Sequence, residues 1–348
     1  MAFSLGTSFR GVLIGKQSAF GTVATAWKFG EVDDESFKTN YDILQRQDVS
    51  RFGVSKTATG KRYGEGSVNM AMDTSPFFAY LCVGMYPKTA VSGSGPYVHA
   101  LTEIAHADGF DGGDDYSAWD FKIYRDEKMH RYTSMLLNRL SIRANVGEYV
   151  QVSADFVGKA EGSDSQTSPV AIGASLDDNP HTVDALHFSQ ATVIFDDGSG
   201  NTTATTSLAS IEFDINLNRD VDASYSLGND TCVRAPVPQR REITGNVEFF
   251  APIHTDTFDE PTYAELIASG GSVYDPSAGT PAIKLLFTNG AEIVQFELLR
   301  VRWEAPESTI SGRDTQTMRV PFIALYDNTQ NAMSKCTITS AQLGSSAL

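Results

Sequence analysis

The sequence carries one ordered set of short motifs twice, once in each half of its 348 residues. The matched segments, in chain order, are 62–68 with 241–247, 76–81 with 261–266, and 138–144 with 299–305. The first pair shares Arg, Gly and Val at the same spacing, and the second shares a Pro-x-aromatic-Ala-x-Leu pattern. Because the order is the same in both halves, the pattern indicates a duplicated domain of about 160 residues.

We therefore predict two domains, residues 1–160 and 184–348, joined by a linker at 161–183 that is rich in Ser, Asp, Gly and Pro. Two copies are too few for a solenoid, so each domain is expected to bury a core of its own. The alignment predicts that Val68 and Val247 occupy equivalent positions, and likewise Leu140 and Val301.

Alternation of apolar and polar residues dominates the chain and predicts half-buried antiparallel strands. Residues 211–218 (IEFDINLN) show this pattern most clearly. Helix is scarce: residues 75–84 read as one short helix that Ser75 or Thr74 caps and Gly84 ends, and 257–268 as its counterpart. The fold class is mainly β, with two tandem β-sandwich or partial-barrel domains that each carry one short helix.

Parity assigns each predicted strand a core face and a polar face, because alternate residues of a strand point to opposite sides of the sheet. The residues predicted to fill the core are Phe37, Tyr41, Ile43, Val68, Ile211, Phe213, Ile215 and Val247. On the polar faces, Arg139, Arg143, Arg300 and Arg302 are expected to pair with carboxylates on neighbouring strands.

Two segments at equivalent places in the halves, residues 45–61 and 219–240, separate consecutive strands and are long for hairpin connections. Long loops without structure of their own are usually functional or mobile. Both are therefore expected to be functional or mobile.

The net charge is −16, from 43 acidic and 27 basic residues. This balance argues against the basic footprint of a nucleic-acid-binding protein. It is compatible with simple solubility, or with a surface that must pass DNA without holding it.

No motif for catalysis or cofactor binding stands out. The sequence has no P-loop and no G-x-S-x-G, and its three Cys and six His show no metal-ligand spacing. The acidic run at 108–115 lacks the spacing of a calcium loop, so we interpret it as a solvated loop with a weak Ca²⁺ site as the alternative. No apolar run is long enough to cross a membrane, and no secretory signal is visible.

Three short segments resemble the motifs of one known family. Residues 15–22 (GKQSAFGT) resemble its E-x-x-[YF]-G-T opening, with Gln17 in place of Glu. Residues 95–99 (GPYVH) resemble its Pro-Tyr-x-His segment, and residues 235–241 before the strand-forming 245–247 resemble its second half. The family that the chain resembles is that of the tail tube proteins of long-tailed bacteriophages.

The resemblance implies a structural protein made of tail-tube-like β domains, with no enzymatic activity and no cofactor. In this family, neighbouring subunits join their inner sheets into a barrel around a channel for the genome, and a long loop stacks one ring on the next. Six domains per ring would make rings of three duplicated chains.

Two sets of residues follow from combining the resemblance with parity. The residues expected to line the channel are Lys38, Asn40, Asp42, Asn69, Glu212, Asp214, Asn216 and Glu248, and the lumen is expected to be net negative. The residues expected in the ring-stacking loops are Gln45, Arg46, Arg51, Lys56, Lys61, Arg219, Tyr225, Arg234 and Arg240.

The resemblance also implies partners and a location. The partners are further copies of the chain, a tape measure protein, tail terminator and baseplate or distal tail proteins, and viral DNA that passes without sequence-specific binding. No membrane partner is expected. The protein is expected in the virion tail after assembly in the cytoplasm of the bacterial host.

Three alternatives remain open at this point. A distal tail or baseplate protein would share the fold and the duplication. A carbohydrate-binding β-sandwich would need exposed aromatic residues, for which Trp27, Trp119 and Trp303 are available. An enzyme is disfavoured because no catalytic constellation is apparent.

Overall fold

The computed structural model describes most of the chain. The described residues are 9–47, 50, 52–104, 116–125, 128–163, 168–171, 183–196, 200, 203–250, 273–276, 280–309, 317–345 and 348. The predicted second helix at 257–268, Arg51, the acidic run at 108–115 and most of the predicted linker lie outside these residues.

The described residues form one α-helix and twenty-one strands. The helix α1 is Pro76–Met85, and the strands are β1 Phe9–Lys16, β2 Lys28–Gly30, β3 Asp34–Glu35, β4 Lys38–Gln47, β5 Val54–Ala71, β6 Lys88–Ser92, β7 Tyr97–Thr102, β8 Trp119–Arg125, β9 Lys128–Asn145, β10 Gln151–Gly158, β11 Val170–Ala171, β12 Ala191–Phe195, β13 Leu208–Asn216, β14 Glu242–Phe250, β15 Val273–Tyr274, β16 Ile283–Asn289, β17 Glu292–Leu298, β18 Arg300–Trp303, β19 Glu307–Thr309, β20 Thr317–Leu325 and β21 Ser334–Ser340.

Two antiparallel sheets contain these strands. The large sheet runs β15-β18-β20-β14-β13-β9-β10-β5-β3, with β4 also on β5, β19 also on β20, and β1, β2, β8 and β11 attached through β8 and β9. The small sheet runs β12-β16-β17-β21-β7-β6. Neither sheet closes into a barrel within the described residues, so the predicted mainly β, sandwich-type fold is confirmed.

The large sheet contains the same four-strand unit twice. The first unit is β4-β5-β10-β9, and the second is β13-β14-β20 followed by β18 and β19 together. Val68 of β5 faces Ala154 of β10, and Val247 of β14 faces Val320 of β20. Val68 and Val247 lie on the corresponding strands β5 and β14, and aligning the units on these two valines makes Ala154 correspond to Val320.

The predicted equivalence of Leu140 and Val301 is wrong. Leu140 of β9 faces Ala154, whereas Val301 of β18 faces Ala324, four residues beyond Val320. An even offset keeps every side chain on the same face of a strand, so the alternating pattern matched equally well at the wrong register.

The two units are joined inside one chain, because β9 pairs antiparallel with β13 over seven residue pairs from Arg139↔Asn216 to Asn145↔Ser210. The small sheet is shared as well, since β7 of the first half pairs with β21 of the second. The domain boundaries at 160 and 184 stay a prediction, but the expected two separate cores are wrong. One hydrophobic cluster spans both halves, and a smaller one lies around Leu13 and Phe29.

Helix α1 packs inside this common core. The Ser75 hydroxyl accepts a hydrogen bond from the Phe78 N–H at 3.3 Å, and Pro76 is the first helical residue, as predicted. The helix does not end at Gly84, as predicted, but continues to Met85. A Cβ at Gly84 would lie 2.9 Å from the Leu137 side chain, so the glycine permits close packing on β9.

Six of the eight predicted core residues are buried, and two are not. Phe37, Val68, Ile211, Phe213, Ile215 and Val247 are all at most 2% exposed. Tyr41 and Ile43 are 60% and 57% exposed, because β4 extends beyond the core as part of a projecting hairpin.

Candidate functional site

One face of the large sheet is polar and open to solvent. All eight residues predicted to line a channel lie on strands of this sheet, and none is buried: Lys38 and Asp42 are exposed and the other six are half-buried. We call this surface the polar face. Asp42 lies at its margin, where β4 leaves the core.

Ion pairs between strands cover the polar face, two of them between adjacent strands and one, Arg319–Glu212, across the intervening β14. Arg139 and Asp214 pair at 2.9 Å across the β9–β13 junction. Lys38 pairs with Glu65 at 2.9 Å, and Arg319 pairs with Glu212 at 2.9 Å. Such exposed pairs stabilise a fold by only about 0–1 kcal/mol each, so their main effect is to neutralise the surface.

The expected pairing of the four arginines is confirmed for two of them. Arg139 pairs with Asp214, and Arg300 pairs with Asp275 at 2.8 Å. Arg143 faces Glu212 in the β9–β13 register, although its Nε donates to Asn145.

The charge of the central polar face is nearly balanced. Its carboxylates are Glu65, Asp155, Glu212, Asp214, Glu242 and Glu248, and its cations are Lys38, Arg139, Arg143 and Arg319. Six carboxylates against four cations leave an excess of two negative charges over this set. Most of the chain's −16 therefore lies elsewhere.

Asp155 is a polar-face residue that the sequence reasoning missed. Burial raises the pKa of its carboxyl above the usual value, and nearby Asp214 acts in the same direction, while Arg139 opposes the shift. The signal was available, since Asp155 alternates with the buried Ala154 and Phe156.

The predicted loop at 45–61 is mostly a β-hairpin. Strands β4 and β5 remain paired out to Gln47↔Val54, with Gln45 facing Thr57 and Arg46 facing Lys56. Side chains from both faces of residues 41–47 are exposed. We call residues 41–59 the arm. A two-stranded hairpin with both faces exposed, as the described residues of the arm are, is only marginally stable in water by itself.

The arm is both apolar and basic. Its exposed apolar residues are Tyr41, Ile43, Leu44, Phe52 and Val54. Arg46 and Lys56 lie side by side across the two strands, both exposed. Exposed apolar side chains clustered on one element mark an interaction surface.

The second predicted stacking segment, at 219–240, packs against the base of the arm. Lys61 pairs with Asp222 at 2.7 Å, and Arg62 with Asp230 at 2.8 Å. The Tyr225 hydroxyl donates to the Arg62 carbonyl at 2.9 Å. The structure thus brings the two predicted segments together, a contact that the sequence did not suggest.

Arg219 fastens this second segment to the core. Only 8% of the residue is exposed. Its Nε donates to the Leu137 carbonyl at 2.8 Å and its Nη1 to the Pro236 carbonyl at 2.7 Å. Burial lowers its pKa to about 10. The Arg219 guanidinium thus donates its hydrogen bonds within its own chain. Arg234 and Arg240, in contrast, are exposed.

At the end of the large sheet that β18 and β19 form, β15 pairs with the outer edge of β18 at Val273↔Arg302 and Tyr274↔Val301. In the part of the chain that the structure describes, no strand pairs with the outer edge of β4 or of β19. Unpaired strand edges are templates for pairing with another chain.

The described residues give little support to an aromatic binding site, a metal site or a membrane span. Trp119 and Trp303 are buried, and Trp27 is half-buried beneath the Lys122 ammonium at 3.9 Å, so the three tryptophans form no aromatic binding platform. Among the described residues, no three His, Cys, Asp or Glu side chains come together as a metal site. No described helix has the length and apolar character to cross a membrane.

Comparison with known proteins agrees with the structure at the family level. No curated protein matches the chain significantly. A family model described as "Phage tail tube protein" matches residues 10–324, which include both four-strand units, the arm and the polar face. Since that match covers most of the sequence, the chain belongs to the phage tail tube protein family.

Proposed function

We propose that this tail tube protein polymerises into rings of three chains, and that the rings stack into a tube through which DNA leaves the virion. The observation that carries the proposal is the β9–β13 junction, which joins two similar four-strand units edge to edge. Among the described residues, the outer edges of β4 and of β19 are unpaired, while β15 covers the adjacent β18, so the same joining can continue from β4 of one chain to β19 of the next.

The polar face would line the channel of such a ring. Continuing the sheet through β4 and β19 keeps this face on one side of every chain, and the apolar side is already filled by the core. Its nearly balanced, slightly acidic charge supplies few unpaired cations to hold phosphate, so DNA could slide past it.

The arm would connect consecutive rings. Burial of an exposed Leu or Ile side chain contributes about 1.5–3 kcal/mol, and the arm offers several such side chains. Its adjacent Arg46 and Lys56 complement an otherwise acidic protein, which makes another copy of the chain a suitable partner.

The remaining partners follow from this arrangement. A tape measure protein would occupy the lumen during assembly in the bacterial cytoplasm, and tail terminator and distal tail or baseplate proteins would cover the two ends of the tube. The protein would act as a structural component without a cofactor.

Electron microscopy of the purified protein tests the central proposal. We expect tubes or stacked rings with three chains per ring and pseudo-sixfold symmetry. Rings with six whole chains, or a protein that stays monomeric at high concentration, would contradict it.

Chemical labelling tests the channel. In assembled tubes, a cysteine at position 216 (Asn216→Cys) should react with a small maleimide but not with one carried on a large polymer. Lys88→Cys, at an exposed position on β6 of the small sheet, should react with both. Equal reaction of both sites with the large reagent would exclude the polar face from the lumen.

A further inference from the structure

We propose that the junction between chains repeats the register of β9 and β13 with its charges reversed, so that Lys38 of one chain faces Glu307 of the next. This inference rests on the proposed ring and names the residues that decide which edges join. The template is the junction already present inside the chain.

The first step identifies the residue of the second unit that corresponds to Ser141. Ser153 of β10 and Arg319 of β20 correspond, because each lies one residue before the equivalent positions Ala154 and Val320. Ser153 faces Ser141 of β9, and Arg319 faces Glu307 of β19. Glu307 therefore holds the place of Ser141.

The second step identifies the counterpart of Asp214. Glu65 of β5 and Thr244 of β14 correspond, because each lies three residues before the equivalent valines. Thr244 faces Asp214 of β13, and Glu65 faces Lys38 of β4. Lys38 therefore holds the place of Asp214.

Inside the chain, Asp214 faces Ser141 across the β9–β13 junction. The same register between chains places Lys38 opposite Glu307. Residues directly opposite in an antiparallel pair have their Cβ atoms about 4.5–5.5 Å apart, within reach of an ion pair. Both side chains are exposed, and the Lys38 ammonium is already oriented on this face by Glu65.

A neighbouring carboxylate strengthens the match. Inside the chain, Arg139 forms the diagonal ion pair with Asp214. Arg139 faces Asp155, which corresponds to Pro321, and Glu304 donates its N–H to the Pro321 carbonyl at 2.9 Å. The exposed Glu304 thus takes the place of Arg139 and lies beside Lys38 in the junction between chains.

The polarity of the ion pair is therefore opposite at the two kinds of junction. Within the chain the cation is on the β9 side, and between chains it is on the β4 side. Two β4 edges would bring lysines together, and two β19 edges would bring glutamates together. Like charges directly opposite are destabilising, so only the head-to-tail joining that builds a ring is favoured.

One point of the β4 edge is already satisfied in the single chain. The Phe37 carbonyl accepts from Arg125 Nη2 at 2.8 Å and from the Tyr132 hydroxyl at 3.1 Å, and its N–H donates to Glu35 at 3.0 Å. We therefore place the specific contact at Lys38 and Asn40, on the C-terminal side of this cap. Asn40 corresponds to Asn216, which faces Arg139, so it should face Glu304.

Cysteine cross-linking tests the register in the full chain. Lys38→Cys/Glu307→Cys should give a ladder of covalent dimers and trimers under mild oxidation or with a short bis-maleimide. The pair Ser141→Cys/Asp214→Cys is the matched control, since it should close within one chain and give monomers only. Each single variant should give no ladder, because the three native cysteines are buried.

The outcomes separate this inference from the proposed function. Tubes of unmodified protein without a covalent ladder would overturn the register and leave the tube proposal standing. A ladder without tubes would support the register and contradict the tube. Absence of both would overturn both.

Charge reversal supplies a second, independent readout. Lys38→Glu alone, or Glu304→Lys/Glu307→Lys alone, should raise the protein concentration needed for polymerisation about tenfold or more. Combining all three substitutions in one chain should bring this concentration below that of either partial variant, although Glu65 opposite position 38 and Arg319 opposite position 307 keep it above the native value. Lys88→Glu, on the small sheet, should leave the concentration needed for polymerisation unchanged. Equal polymerisation by all the variants, or failure of the combined variant to polymerise more readily than either partial variant when it folds normally, would overturn the inference.

Discussion

The glycine of the repeated Arg-x-x-x-Gly-x-Val motif leaves room for an aromatic ring in both halves, although Phe37 precedes β4 and Phe322 lies on β20, on the opposite side of the strand. A Cβ at Gly66 would lie 2.6 Å from the Phe37 ring, and one at Gly245 would lie 2.4 Å from the Phe322 ring. In each unit an aromatic side chain crosses the strand at the glycine. The sequence predicted that the two glycines are equivalent, but the reason for them depends on a ring that comes from another segment of the chain.

Substitution of this glycine should destabilise the protein. We expect Gly66→Ala to lower the free energy of unfolding by about 1–3 kcal/mol, because the added methyl group overpacks against Phe37. Chemical denaturation measures the change. Gly53→Ala, on the arm with no atom within 4 Å of the added Cβ, is the control and should stay within about 0.5 kcal/mol. Equal stability of the two variants would show that the contact is relieved at no cost.

Asp155→Asn should stabilise the protein at neutral pH. Burial raises the folded-state pKa of this carboxyl above its unfolded value of 3.8, so the folded protein binds its proton more tightly than the unfolded chain does. The stability that the native carboxyl contributes when protonated is complete below pH 3.8 and is lost as the pH rises through the folded pKa. The advantage of the Asp155→Asn variant in unfolding midpoint should therefore appear at pH 7 and fade towards pH 3. A midpoint difference that does not change with pH would contradict this cause.

At the scale of elements, prediction succeeded where an element has a buried face. The alternation in 211–218 predicted β13, and the Ser75-Pro76 pair predicted the start of α1. The arm was taken for a loop because neither of its faces is buried, so its sequence has no apolar alternation to detect. Its strands are visible only through their backbone pairing.

Polar substitutions on the arm should separate ring formation from stacking. We expect Ile43→Thr/Leu44→Thr to leave the free energy of unfolding within about 0.5 kcal/mol of the native value, because both side chains are largely exposed. The same variant should form single rings that fail to stack, which sedimentation and microscopy can distinguish from tubes. Val146→Thr, an equally exposed site in the β9–β10 turn, should still form tubes. Tubes of normal length from the arm variant would exclude the arm from stacking.

At the scale of the whole molecule, the repeat could be read from the sequence but the joining of its copies could not. Strand order depends on pairing between distant residues such as Arg139 and Asn216, and no local pattern encodes that choice. Sharing of the small sheet between the halves escaped prediction for the same reason. The duplication nevertheless has a structural meaning, since one junction inside the chain provides a template for the next.

The number of chains per ring can be tested by mixing two charge-reversed proteins. Lys38→Glu has two acidic edges, and Glu304→Lys/Glu307→Lys has two basic edges, so each protein repels its own kind and attracts the other. Strict alternation satisfies every junction only when the ring contains an even number of chains. A ring of three must place two like chains side by side and keep at least one repulsive junction. We therefore expect the equimolar mixture to polymerise less readily than the single protein that carries all three substitutions, as measured by the concentration at which light scattering begins to rise. If the mixture polymerises as readily as that protein, the ring holds an even number of chains and the proposed three is wrong.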